Sequence, residues 1–456
     1  MIKVNDEINV KIEKLSSEGT GIARYDGIVI FVEQACTDDE LKIKIISVKK
    51  TYATGKIIEI IKPSAHRVEP FCKMQKVCGA CQIQFINYDY QLKIKKQIVE
   101  DAMHNIGGID TCVGNTIPSP ETMCYRYKIQ YPISSTKVSK RLLAGYYKQK
   151  THEVLNIKHC PIQPEIVDKI MEFIRENALK LNISGYNELK HKGDLRHVVV
   201  RSSLATGKNL VVLVVNSPKP FQKIIDLANL IYSNFKEVSG VCLNYNSKKT
   251  NVILSNNTEL IVGKDFVKER ILDKTFRIGA NTFFQVNPKS AENIFKYVKD
   301  YIKNNFEHAT VFDAYAGVTT FGIVVSDVCK KVVSVEECKE AVKLADEVLK
   351  LNDIKNVELH NMDAELFFEK ELKTKKRRFD ITILDPPRKG STEKTLDNIL
   401  QLTKNKIIYV SCNPATLARD LKYLVFKGCT VESLQPFDMF CHTNHVETVA
   451  IISLNN

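Results

Sequence analysis

From residue 309 onward the chain alternates short apolar runs with amphipathic helical stretches, and that alternation leaves few folds open. The runs "ATVFDAYAG", "KVVSVEE", "NVELHNMD", "FDITILDPP" and "NKIIYVSCNP" are separated by helical patterns such as "KEAVKLADEVLKLND" and "TEKTLDNILQLTK". Strands spaced by helices predict βαβ units and a parallel sheet. "CTVESLQPFDMF" and "HVETVAIISL" predict two further strands joined by a short turn, an antiparallel edge.

The rest of the chain follows other patterns. Residues 1–62 alternate apolar and polar residues in five or so short runs, one of them carrying the Asp-Gly hairpin signal of "RYDGIVIFV". They predict a small β-barrel of the kind that often binds oligonucleotides, with "IKPSAHRVEP" as the linker. Residues 63–275 mix a helix, "DYQLKIKKQIVEDAMHNIG", with later strand-like stretches, an α+β pattern. Residues 276–456 make the α/β domain.

In an open parallel sheet the ligand sits beyond the carboxyl ends of the strands. Those ends read Asp313-Ala314-Tyr315-Ala316-Gly317, Glu336-Glu337, Asp363, Asp385-Pro386-Pro387-Arg388 and Ser411-Cys412-Asn413-Pro414. The first turn has neither G-x-G-x-x-G nor a P-loop lysine, so pyrophosphate recognition is disfavoured. An acid at the second strand end suits the hydroxyls of a ribose. A phosphate-free adenosine held among acids fits S-adenosyl-L-methionine, whose sulfonium is itself positive.

The cysteine at the fifth strand end narrows the chemistry. Carbon 5 of a pyrimidine is a poor nucleophile until a thiolate adds at carbon 6. Cys412 is the candidate nucleophile, and a helix N-terminus after Pro414 or nearby cations would expose its thiolate. The carbon-5 proton must then leave to a base: Glu447 in "HVETV", with His442, His445 and Asp438 as runners-up. A strand-end cysteine used only in packing is the competing reading.

The polymer this site would act on is suggested by charge. The formal net charge is +13 and the pI about 9.0, which favours a polyanion such as nucleic acid. The runs "KVSKRLLAGYYKQK" (137–150) and "KTKKRR" (373–378) add local cations. No signal-peptide core and no membrane-length apolar stretch is seen, which predicts a cytoplasmic protein with no membrane partner. A base would have to be flipped out to meet both thiolate and methyl donor.

In this compartment thirteen cysteines would be mostly reduced. "FCKMQKVCGACQIQF" supplies Cys72, Cys78 and Cys81, and "KHCPIQP" supplies Cys160. Four thiolates suit an iron–sulfur cluster or tetrahedral zinc, and spacing alone does not choose. Cys112 and Cys124 are decoys. Cys36, Cys242, Cys329, Cys338, Cys429 and Cys441 read as small apolar residues.

With these motifs in this order the chain resembles the RNA uracil-C5 methyltransferase family. "SCNPATLARD", "DPPRKG", "HVETV", "NTFFQVNP" and "FDAYAG" carry the likeness, and the N-terminal barrel resembles a TRAM domain. The resemblance implies a Rossmann-like S-adenosylmethionine-dependent methyltransferase domain, an OB-like TRAM barrel and an α+β central iron–sulfur domain. It implies Cys412 as nucleophile and Glu447 as base. Gln285, Tyr315, Thr320, Glu336, Asp363 and Asp385 would bind S-adenosyl-L-methionine. The ribosomal RNA branch carries a 4Fe-4S cluster at cysteines matching Cys72, Cys78, Cys81 and Cys160. The expected activity is methylation of carbon 5 of a uridine in 23S ribosomal RNA by a monomer. Transfer RNA as substrate is the near rival, since that branch typically lacks the TRAM domain and the cysteines. A cytosine-C5 enzyme and a non-catalytic iron–sulfur RNA-binding protein stand further off.

Overall fold

The computed structural model describes residues 2–374 and 378–455, so residues 375–377 of the basic run lie outside the described residues. The alternating C-terminal region forms strands β1 (Ala309–Ala314), β2 (Cys329–Glu336), β3 (Val357–Asn361), β4 (Phe379–Leu384), β5 (Thr403–Ser411), β6 (Cys429–Phe437) and β7 (Glu447–Leu454). Among the described residues they make one seven-stranded sheet in the order β3-β2-β1-β4-β5-β7-β6. The first five are parallel, and β7 is inserted antiparallel to both β5 and β6.

Six helices flank this sheet: α1 (Pro288–Asn305), α2 (Thr320–Val325), α3 (Lys339–Leu351), α4 (Ala364–Thr374), α5 (Glu393–Leu402) and α6 (Pro414–Phe426). Side chains alternate across a strand, so each strand feeds two cores. Phe312, Ala314, Val333, Val335, Leu384 and Tyr409 pack with Phe367 and Phe368 of α4, Leu396 of α5 and Leu417 and Leu421 of α6. Val311, Val332, Ile381, Ile383, Ile408 and Val410 pack with Phe295 and Val298 of α1 and Val348 of α3. The result is a three-layer α/β/α sandwich whose parallel strands are buried on both faces.

Among the described residues, those upstream build two six-stranded sheets and a two-stranded one, Phe266–Ile271 with Lys274–Gly279. The N-terminal one is six-stranded, in the order Glu7–Lys11, Glu40–Val48, Tyr52–Lys62, Ile28–Val32, Gly21–Tyr25, Lys14–Leu15, around Ile12, Ile30, Leu41 and Ile43. The central sheet runs Thr258–Gly263, Val238–Tyr245, Asn209–Val215, Leu195–Ser202, Lys128–Ser135, Leu142–Ala144, and packs with the helices Glu165–Lys180 and Gln222–Asn234.

Two connections differ from expectation. The linker after the N-terminal sheet is not loose. Arg67 forms an ion pair with fully buried Asp39, which also accepts the backbone N–H groups of Cys36 and Ser64. Leu15 and Cys36 share a core with Ile83, Phe85 and the catalytic helices, so the N-terminal module is docked rather than tethered.

The link between β6 and β7 is not a short turn. It is the segment 438–446, held by a polar network. Lys95 on the helix Tyr88–Ala102 reaches Asp438 at 2.5 Å, both side chains fully buried. Tyr88 donates to the same carboxylate, Lys95 also donates to Phe440 O, and Ser290 donates to Asp438 O. Removing one partner of such a pair leaves a buried charge uncompensated and costs about 3–5 kcal/mol. A long connection is tolerated here because its polar groups are satisfied.

Candidate active site

The strand ends of the catalytic sheet open on one cavity of about 770 Å³. Gln285 reaches it from the segment before α1, Tyr315 and Thr320 from the β1–α2 turn, and Glu336 and Asp363 from the ends of β2 and β3. Asp385 follows β4, Cys412 follows β5 and Glu447 starts β7. All eight residues that the sequence singles out for cofactor or catalysis therefore line one space.

The β1–α2 turn is built by unusual backbone. Tyr315 and Thr319 both have φ of 60°, a left-handed conformation costly for such side chains. Glu336 holds the turn by accepting the Gly317 N–H at 2.8 Å, and its second oxygen accepts the Cys338 N–H. Gly322 is required for close approach. A Cβ there would lie 2.6 Å from Ser334 Oγ and 3.1 Å from Asp313 Oδ2. Its N–H donates to Asp313, which closes α2 onto β1. Asp363 in turn accepts the Leu366 N–H at the start of α4.

The Asn-Pro break after Cys412 has a clear job. Asn413 caps α6 by accepting the Ala415 N–H, and its amide donates to the carbonyl of Arg388. Thr416 donates to that carbonyl too, and Arg419 donates to the carbonyls of Lys389 and Ser391. Asp420, buried, accepts from the Ser391 N–H and from Tyr409 Oη. A Cβ on Gly390 would meet Asp420 Oδ2 at 2.5 Å, so the turn closes only with glycine there. The first turn of α6 thus fixes the "DPPRKG" loop and with it Arg388 beside Cys412.

Cys412 and Glu447 meet through sheet register. Ser411 pairs with Thr448, so the next residue on each strand leads to the same end of the sheet. Glu447 is 4% exposed. Burial pushes its carboxyl well above the carboxylate range, neighbouring Asp385 adds to this, and Arg388 opposes it. Burial alone lifts Asp385 to about 7. Asp313 also rises to about 7, through burial first.

Of the two influences expected to favour the Cys412 thiolate, a nearby cation is present as Arg388. Burial, then Glu447, push the Cys412 thiol up to about 11, with Arg388 pulling the other way.

The runner-up bases lie elsewhere. Asp438 is committed to Lys95, and His442 packs against Gln91 and the Thr122 carbonyl. Neither they nor His445 line the cavity. Cys338, read as a small apolar residue, is exposed on the cavity rim instead. Arg388 carried no expected role, yet it is a cation that faces both Cys412 and Glu447.

The four cysteines also come together. Cys72, Cys78, Cys81 and Cys160 line a second, small cavity, closed by Tyr146, Ile157 and Ile162. Cys160 is pushed up to about 12 by burial, with Cys72 and Cys78 adding to it, and Cys81 is pushed up by burial and then by the other three. Cys112 and Cys124 are exposed and stand apart from this cavity. Among the described residues, no three His, Cys, Asp or Glu side chains close on a single metal-ion position. Nor is any described helix long and apolar enough to cross a membrane.

Comparison with known proteins agrees with this geometry. The family model described as tRNA (Uracil-5-)-methyltransferase matches residues 87–454, and the TRAM domain model matches residues 2–58. An uncharacterized RNA methyltransferase of Clostridium tetani is 37% identical over 452 residues, covering 99% of this chain and 97% of its own length. One of Halalkalibacterium halodurans is 37% identical over 457 residues, covering 100% and 98%. The solved tRNA (uracil-54, C5)-methyltransferase of Pyrococcus abyssi, in complex with S-adenosyl-L-homocysteine, superposes with a TM-score of 0.76. It is 26% identical and covers 98% of this chain and 100% of its own.

Proposed function

The chain belongs to the tRNA (uracil-5-)-methyltransferase family, and from that premise we propose that it methylates carbon 5 of one uridine in RNA through a covalent Cys412 adduct. The observation that carries the reading is the shared cavity, where a strand-end cysteine and a buried glutamate adjoin an acid-lined nucleoside site.

Each residue then has a chemical task. Gln285, Tyr315, Thr320, Glu336, Asp363 and Asp385 would hold S-adenosyl-L-methionine, with Glu336 at its ribose and Asp363 near its adenine, and it would supply the methyl group. Cys412 gives its proton to solvent water, with Arg388 favouring the anion, and the thiolate adds to carbon 6 of the flipped base, whose 5,6 double-bond electrons move to form the enolate. The enolate so formed takes the methyl group at carbon 5, leaving S-adenosyl-L-homocysteine. Glu447 removes the carbon-5 proton, the carbon–sulfur bond breaks, and Cys412 departs as thiolate.

A pH effect follows from the buried acids. At pH 5 Asp385 is protonated and offers a sulfonium no charge. As pH rises through about 7 Asp385 ionises, so affinity for S-adenosyl-L-methionine should climb. By about pH 8 the gain over pH 5 should approach tenfold. S-adenosyl-L-homocysteine, with a neutral sulfur, should show a weaker dependence. Calorimetry at both pH values, in buffers of different ionisation enthalpy, measures this and the protons released.

We assign the four cysteines to a 4Fe-4S cluster on the resemblance to the ribosomal RNA branch. They line one small cavity, and thiolates buried together are costly without compensating cations. Such a cluster would supply structural support or RNA positioning. Cys160→Ser should lower iron and labile sulfide together in anaerobically purified protein. One zinc per chain and no sulfide would overturn the assignment.

The RNA we favour is 23S ribosomal RNA, on the four-cysteine resemblance, in a cytoplasmic monomer. The full-length likeness to a tRNA (uracil-54, C5)-methyltransferase supports transfer RNA as the second reading. That likeness extends through the TRAM region, so a TRAM domain does not separate the two. Methyl-transfer assays on both RNAs, with mass spectrometry of the digests, decide between them. Transfer to neither would overturn the function proposed.

A further inference from the structure

One cation of the central sheet is left without a partner beside the catalytic cavity. Lys128 opens the strand Lys128–Ser135 and stands directly opposite Arg201 of the strand Leu195–Ser202. Like charges directly opposite each other destabilise a sheet, so nothing in folding calls for this pair. Arg201 is spent locally, its guanidinium donating to the carbonyls of Ala280 and Thr282. The acid on the same small cavity, Glu269, is spent too. Its carboxylate accepts the backbone N–H groups of Leu204, Ala205 and Arg270. Lys128 Nζ has neither an acceptor nor an acidic partner among the described residues. Burial, then Arg201 and Arg126, push its ammonium down to about 7, as expected of a cation with no counter-charge.

Position says what would neutralise it. Phe284 and Gln285 separate the Lys128 cavity from the catalytic one and line both. The Tyr127 N–H donates to Val286 O at 2.7 Å, which ties the lysine's strand to that wall. Lys128 itself does not line the catalytic cavity, so it lies beyond the acid-lined nucleoside site. It is half-buried. A compact ammonium on a flexible stem suits a phosphate oxygen approached from outside.

We propose that Lys128 binds an RNA phosphate next to the uridine that enters the catalytic cavity, anchoring the backbone while the base is turned inward. This rests on the methylation reading given above. It adds a residue that positions RNA and does no chemistry.

The test is filter binding of a uridine-containing RNA stem-loop to wild type, Lys128→Met and Lys128→Arg across a salt series, with calorimetry of S-adenosyl-L-methionine on each. Lys128→Met should weaken RNA binding about tenfold near 0.1 M salt. It should also lower the slope of log affinity against log salt by about 0.7–1. Lys128→Arg should keep most of both. Cofactor affinity should not change. Because an unpaired buried charge is removed, the Tm of Lys128→Met should rise or hold, which separates lost contact from lost fold. Wild-type RNA affinity and slope in Lys128→Met would overturn the proposal. So would weakened cofactor binding with RNA binding intact, which would assign the lysine to the methionyl carboxylate. If wild type binds RNA through Lys128 but methylates no uridine, the methylation reading fails and the phosphate contact stands.

Discussion

Cys412→Ala abolishes methyl transfer to RNA, by about four orders of magnitude or more, while S-adenosyl-L-methionine binds within about twofold of wild type. The separation follows from the layout of the cavity. The acids and Tyr315 that would hold the nucleoside come from β1 to β4 and the turns after them, whereas Cys412 follows β5. Its removal trims one thiol from a wall and breaks none of the bonds from Asn413, Thr416 and Arg419 that hold the carbonyls of Arg388 and Lys389. Without the thiolate, carbon 5 never gains enolate character and the methyl group has no competent acceptor. Calorimetry and a methyl-transfer assay on the same preparation check both halves. Near-normal turnover in the variant would remove covalent catalysis from the account.

Glu447→Gln stalls after methyl transfer instead of before it. Glutamine keeps the shape of the buried side chain but cannot take the carbon-5 proton. The Cys412–carbon 6 bond then has no route to elimination, and a denaturation-resistant protein–RNA species accumulates while turnover falls about 10²–10⁴-fold. The variant also removes an acid that raises the Cys412 thiol, so formation of the adduct should be no slower. Gel electrophoresis after denaturation shows the species. Slow turnover with no adduct would move the base role to another group. His442, His445 and Asp438 are poor substitutes because none lines the cavity and Asp438 is locked to Lys95.

Much of this site was legible because it is a property of strand ends. Asp385, Cys412 and Glu447 terminate or begin apolar runs, and a parallel sheet places such ends together whatever the side-chain detail. That the four cysteines share one small cavity also follows from residues the sequence groups together. Other features depend on partners far away in sequence, which no local pattern encodes. The setting of the Cys412 thiol is one: burial and Glu447, which arrives from a strand 35 positions later, raise it, and Arg388, a nearby cation of the kind expected, lowers it. The brace of the "DPPRKG" loop by Asp420 needs β5 beside α6. The segment 438–446 looked like a turn because its satisfaction comes from Lys95 and Tyr88, on a helix near residue 90. The docking of the N-terminal module through Asp39 and Arg67 is of the same kind.

Release of label from carbon 5 tests the central claim most directly. RNA carrying tritium at carbon 5 of its uridines is incubated with the enzyme and S-adenosyl-L-methionine, and water-borne tritium is counted against methyl groups transferred. Methylation at carbon 5 through the Cys412 adduct predicts one tritium released per methyl group, and none from Cys412→Ala. Methyl transfer with the tritium fully retained would place the methyl group on another atom and contradict the account.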